Sequence, residues 1–92
     1  MRLRDREEIY ASILSTAGYG GGARLTKIMF SSYLTHTQVL QYSRTLIESG
    51  FLEYDKIDKI FRTTPTGFKF LELHNEMSEI IKNQEELEPL KV

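Results

Sequence analysis

The stretch from Leu34 to Leu52, LTHTQVLQYSRTLIESGFL, decides how the whole chain is read. Thr35 followed three residues later by Gln38 is a capping box, in which each side chain accepts a hydrogen bond from the other residue's backbone N–H. Gly50 sits where a helix commonly ends in a left-handed residue. At about 100° per residue, Tyr42, Leu46, Val39, Ile47 and Leu40 share one arc, with Ser43 the one polar residue among them. Thr37, Gln38, Gln41, Arg44, Thr45 and Glu48 share the opposite arc. The spacing predicts a helix with one buried face and one face of amides, hydroxyls and a single Arg. Such a face suits the DNA major groove, where Gln pairs with adenine edges, Arg with guanine, and hydroxyls with bases. An ordinary surface helix of low charge has the same composition, so the surrounding chain has to decide.

Downstream of Gly50 the period changes. Phe51 to Asp55 and Lys59 to Thr63 are rich in β-branched and aromatic residues and are separated by Lys56-Ile57-Asp58, which predicts a two-stranded hairpin. Phe51, Leu52, Tyr54, Ile60 and Phe61 are available to dock it on helices, and Lys56, Lys59 and Arg62 to face phosphate. Upstream, Leu25 to Ser31 reads as a short helix directing Leu25, Ile28 and Met29 inward. Ser31, Ser32 and Tyr33 form a turn, and the two helices so joined are a helix-turn-helix. An earlier helix, Arg4 to Ala17, gathers Ile9, Tyr10, Ile13, Leu14 and Ala17 on one face. The run GYGGGA after it lacks the GK[ST] of a phosphate-binding loop and follows no strand, so it is expected to be a flexible connector.

Thr64-Pro65 opens a last helix, with Thr as N-cap and Pro at the first helical position. Gly67 is expected to let this helix approach the hairpin closely. The helix should run to about Glu88, where Pro89 stops it. Phe70, Leu73, Met77, Ile80, Gln84 and Leu87 keep heptad spacing and, with Ile81, predict a coiled-coil seam. At about 1.5 Å per residue such a helix is roughly 36 Å long and outruns a domain of this size. Its distal apolar residues then need a second chain to cover them. The expected organisation is a DNA-binding unit over residues 1–67 and a dimerisation helix with tail over residues 68–92.

Composition narrows the function. A chain of 92 residues forms one domain with little core to spare, which favours an oligomer. There is no cysteine, and His36 and His74 stand alone, so no metal site or other cofactor is expected. No nucleophile–base pair or carboxylate dyad suggests an enzyme, and no residue argues for a small-molecule ligand. No signal peptide or long apolar run is present, so a cytoplasmic, nucleoid-associated protein without membrane contact is expected. Net charge is −1, unevenly spread. Up to Leu71 ten basic residues face seven acids, a surplus of three; from Glu72 onward six Glu face Lys82 and Lys91, a deficit of four. The first part of the chain can therefore face phosphate.

The order helix, short helix, helix, hairpin, long helix is a winged helix-turn-helix, mainly α with a small β-hairpin (α+β). TKIMFSSYL (Thr26 to Leu34), the Leu40/Tyr42/Leu46 spacing, GFL (Gly50 to Leu52) and TPTGFKFL (Thr64 to Leu71) resemble the small archaeal winged-helix proteins. That resemblance implies a C-terminal antiparallel coiled coil and DNA binding as a homodimer, in a chromatin-associated or regulatory role. It places the reading helix at Thr35 through Ser49 and the wing at Asp55 through Lys59. Ser43 stands where an aliphatic residue is usual, and the slightly acidic total favours a transcriptional regulator over bulk DNA packing. The residues expected to read bases are His36, Thr37, Gln38, Gln41, Arg44 and Thr45. Those expected on the backbone are Arg24, Lys27, Tyr33, Lys56, Lys59 and Arg62. The rival readings are a winged-helix protein-interaction module without DNA binding and a sequence-indifferent chromatin protein.

Overall fold

Local chemistry sets the element order. The computed structural model describes residues 5–87, with side chains through residue 83. Helix α1 (Arg6–Gly18) is capped by Asp5, whose side chain accepts from the Glu8 backbone N–H at 2.8 Å. Glu7 and Glu8 in its first turn suit the positive end of the helix dipole. The start expected at Arg4 lies outside the described residues. Helix α2 (Leu25–Ser32) ends at Tyr33, which adopts the left-handed conformation at φ 55°. Ser32, expected in the turn, closes the helix instead; it is buried and its hydroxyl pairs with that of Ser12 at 2.9 Å. Helix α3 (His36–Glu48) starts with the expected capping box, Gln38 N to Thr35 Oγ1 at 3.2 Å and Thr35 N to Gln38 Oε1 at 2.9 Å. Gly50 follows in the left-handed region at φ 82°.

The core gathers Ile13, Leu14 and Ala17 of α1, Ile28 of α2, and Val39 and Leu46 of α3, with Ala23, Leu52 and Phe61. On α3 the buried arc is narrower than the amphipathic pattern suggests. Val39, Ser43 and Leu46 are buried, whereas Leu40 and Ile47 remain 44% and 39% exposed. Both lie well around the helix from the centre of the packed face, since each residue advances by about 100°. A domain this small covers α3 along one side only.

The hairpin pairs β1 (Leu52–Asp55) with β2 (Ile60–Thr63) in the antiparallel register Leu52↔Thr63, Glu53↔Arg62, Tyr54↔Phe61 and Asp55↔Ile60. Each strand starts one residue later than expected, because Phe51 and Lys59 lie outside the ladder and Lys59 turns the chain at φ 57°. The glycine-rich run departs further from expectation. Rather than a free connector it is bonded to the sheet: Ala23 N–H donates to Phe61 O at 2.9 Å and Phe61 N–H to Ala23 O at 2.8 Å. Gly20, Gly21 and Gly22 take positive φ values that fold the chain back onto the hairpin, a conformation that costs other residues energy.

Helix α4 (Pro65–Leu87) is capped by Thr64, whose Oγ1 accepts from Gly67 N–H at 3.0 Å and donates to Gly50 O at 2.6 Å. Its first turns pack inward. A Cβ on Gly67 would collide with the Phe51 carbonyl oxygen, and it would stand 2.6 Å from Thr63 Cγ2, so the expected close approach to the hairpin is realised. Phe70 packs its ring on Phe51 at 5.4 Å. Further along, Leu73, Met77, Ile80 and Ile81 are exposed. The described chain measures 57 × 27 × 22 Å. Its radius of gyration of 15.0 Å exceeds the ~12 Å expected of a compact domain of this length. Among the described residues no helix is long and apolar enough to cross a membrane.

Candidate nucleic-acid interface

The face of α3 turned away from the core carries His36, Thr37, Gln41, Arg44, Thr45 and Glu48, all exposed. Backbone capping holds the start of this helix, so its first residues project from a defined origin. Gln38 is exposed too, but its carbonyl oxygen is committed to the Thr35 N–H, leaving only its amide N–H groups for other partners. Thr45 Oγ1 donates to Gln41 O at 3.3 Å, within the helix. Arg44 makes no ion pair among the described residues.

Two of the cations expected on the DNA backbone stand at the start of α2, the helix that packs against α3. Arg24 is the exposed N-cap residue of α2, and Lys27 lies in its first turn with Nζ 5.9 Å from the Tyr19 ring centroid. Tyr33, nearly fully exposed, stands in the turn immediately before α3. Between Glu8 and Glu48 the chain contains no Asp or Glu, while Arg24, Lys27 and Arg44 fall within that span. The helix-turn-helix therefore carries one carboxylate, Glu48, the last residue of α3. A tally of charge by chain half obscures this local run, although it is legible in the sequence. Tyr19 was not among the expected site residues, and only its contact with Lys27 brings it beside the cationic face.

At the wing the cations divide. Lys56 and Lys59 are exposed at the tip, beside Ile57 at 91% exposure. Arg62, grouped with them by sequence, is spent on structure. Its guanidinium meets Asp55 at 3.1 Å and Asp58 at 3.9 Å, and its Nε donates to Gly21 O at 3.1 Å. Arg62 thus straps the wing to the glycine run. Asp55 also accepts from the N–H groups of Ile57 and Asp58 at 2.8 and 3.0 Å, an arrangement that shapes the tip.

These contacts hold the Asp55 carboxyl below its ordinary value of 3.8, the Asp58 N–H first, then Arg62 and the Ile57 N–H. A carboxyl with a depressed folded-state pKa contributes stability above its ordinary value and loses it as pH falls through the lower one. The wing tip should accordingly loosen only as pH drops below 3.8. Hydrogen exchange at Ile57 and Asp58 should accelerate there in the wild type, and Asp55→Asn should remove that step. An unchanged profile in the variant would show that Asp55 ionisation does not shape the tip.

On α4, the expected seam residues Leu73, Met77, Ile80 and Ile81 form an exposed apolar strip. Phe70, at its upper end, is half-buried against Phe51 and stacks on His74. The side chains of Gln84 and Leu87 lie outside the described residues. Among the described residues no group of three His, Cys, Asp or Glu is placed to hold a metal ion.

A model of the winged helix-turn-helix family matches residues 3–82. No curated protein matches the sequence. The match runs from α1 through the helix-turn-helix and the wing and well into α4, the elements that build the fold, and the chain belongs to the winged helix-turn-helix family.

Proposed function

We propose that the protein is a homodimeric, non-enzymatic double-stranded-DNA-binding protein that acts as a transcriptional regulator. The observation that carries this reading is the carboxylate-free span between Glu8 and Glu48, whose C-terminal part presents Thr37, Gln41, Arg44 and Thr45 on one exposed helical face. An ordinary solvated helix mixes Lys and Glu on that face; one whose single acid, Glu48, stands at its C-terminal end keeps repulsion from phosphate low. In this reading α3 enters the major groove with its N-terminal half. His36, Thr37, Gln38 and Gln41 lie nearest base edges, and Arg44 and Thr45 follow. Arg24, Lys27, Tyr33, Lys56 and Lys59 hold the sugar–phosphate backbone and set the register. Arg62 serves the interface by holding the wing in place.

Residues 1–67 form the reading unit and residues 68–92 the dimerisation helix and tail. Phe70, Leu73, Met77, Ile80, Ile81, Gln84 and Leu87 form the seam, and two heads at a fixed separation read a two-fold pair of half-sites. The test is selection of bound duplexes from a random pool, followed by titrations at several salt concentrations. Paired, enriched motifs and an affinity that falls steeply with salt are expected. Gln41→Ala should cost about 1–3 kcal/mol on the preferred site and relax base choice, while Lys56→Ala should weaken all sequences evenly. Equal losses across sequences for Gln41→Ala would remove it from base reading. Enrichment of no sequence would favour a chromatin protein, and absence of DNA binding would leave a protein-interaction module.

A further inference from the structure

A cleft of about 560 Å³ runs between α3 and the wing. Its walls are Leu25, Leu40, Ile47, Tyr54 and Phe61, a mainly apolar lining of the size and character that small-molecule sites share. The half-exposed positions of α3, Leu40 and Ile47, are not scattered over the surface. Together with Tyr54 they turn their open side to this one hollow. Three polar residues complete it. Ser43 lines the cleft, is 2% exposed, and its Oγ has no hydrogen-bond partner. Arg44 and Glu48, one helical turn apart, bring opposite charges to it, and neither forms an ion pair among the described residues.

Ser43 is the informative member. A buried hydroxyl without a partner destabilises a fold, and an aliphatic residue at that position would fill the space and remove the cost. No existing hydrogen bond has to break for the hydroxyl to turn towards an occupant. A group that satisfies the cleft must therefore present a flat apolar body to Leu40, Ile47, Tyr54 and Phe61, a hydrogen-bonding ring atom to Ser43, an anionic group to Arg44 and a cationic one to Glu48.

We propose that this cleft is a binding site for a free aromatic amino acid whose ring carries an N–H or O–H. Its ring lies in the apolar hollow with that group on the Ser43 hydroxyl, its carboxylate pairs with Arg44 and its ammonium with Glu48. The site makes the DNA-reading helix responsive to a metabolite. A consequence that rests on the DNA-binding reading is antagonism: occupancy engages Arg44 and fills the gap between α3 and the wing, so ligand and DNA lower each other's affinity by the same factor.

The experiment is a titration of the full chain, without DNA, with L-tryptophan, followed by backbone amide NMR. The comparators are indole-3-propionate, which lacks the ammonium, and tryptamine, which lacks the carboxylate. Saturable shifts confined to Leu40, Ser43, Ile47, Tyr54 and their neighbours are expected. Each comparator should bind at least about tenfold more weakly, as loss of a charged hydrogen bond implies. Ser43→Leu should remain folded and lose the shifts. If that variant does not fold, the wild-type shift map and the comparator series decide alone. No saturable shifts, shifts elsewhere, or equal affinity for all three compounds would overturn the site. Because this arm contains no DNA, tryptophan binding in a protein that binds no duplex would uphold the site and sink the DNA reading. Repeating the DNA titration in saturating tryptophan tests the antagonism, which an unchanged DNA affinity would refute.

Discussion

Replacing Gly67 with alanine should destabilise the fold by about 3 kcal/mol, the upper part of the range for overpacking a filled site. The added methyl would fall on the Phe51 carbonyl oxygen and against Thr63 Cγ2. Neither neighbour can retreat cheaply. The Phe51 oxygen already accepts the Thr64 N–H at 3.0 Å, and Thr63 Oγ1 donates to Leu14 O at 2.6 Å, so the hairpin is bonded to both α1 and the start of α4 at this point. For a domain of this size the loss corresponds to a fall in Tm of roughly 12–24 °C. Gly20→Ala supplies the contrast. Gly20 has a positive φ of 64° but nothing within 4 Å of an added Cβ, so only left-handed backbone strain applies, about 1–2 kcal/mol. Thermal melts of the two variants separate the mechanisms. A Gly67→Ala variant no less stable than Gly20→Ala would mean that α4 does not pack on the hairpin as described.

The double substitution Met77→Glu and Ile80→Glu should convert a dimer into a folded monomer. Both side chains are more than 60% exposed in the single chain, so charging them removes little from the intramolecular core. In a coiled-coil seam the same carboxylates would be buried without partners, a cost no two-stranded interface of this length can absorb. Sedimentation equilibrium should then report half the mass, with a far-UV circular dichroism spectrum that still shows a folded, mainly helical chain. DNA affinity for a paired site should drop on the order of 10²-fold or more, because the second head no longer binds at the high effective concentration the tether provides. If the mass stays the same, or the wild type is already monomeric, the seam is not the basis of assembly. Retained mass with lost DNA binding would point instead to a role of α4 within one reading unit.

These two variants probe different links between sequence and structure. The Gly67 effect lives in packing at one junction. The α4 effect lives in an apolar surface that is exposed because the helix continues past the domain that anchors it. The cleft beside α3 is of a third kind, a property of neither element alone.

Features that depend on residues near in sequence were legible from the chain itself. The capping box of Thr35 and Gln38, the left-handed Gly50, the Thr64-Pro65 helix start and the change of period at Phe51 are each settled within a few residues, and together they determine the element order of a winged helix-turn-helix. The acid-free run that leads into α3 and ends at Glu48 is likewise a property of sequence alone. Other features depend on what lies opposite after folding. Leu40 and Ile47 look like core on a helical wheel, but the small domain has no element left to cover them, and the space beside them becomes a cleft. Arg62 looks like a wing cation, yet the hairpin register and the glycine run bring it to Asp55, Asp58 and the Gly21 carbonyl. The GYGGGA run looks like a free linker, and becomes a bonded edge of the sheet because Phe61 stands beside Ala23. The Leu34 to Leu52 stretch thus determined its own helix, caps and outward polar face. Which of its apolar side chains would be buried was decided by the neighbours, because burial is a relation between surfaces and not a property of a single helix.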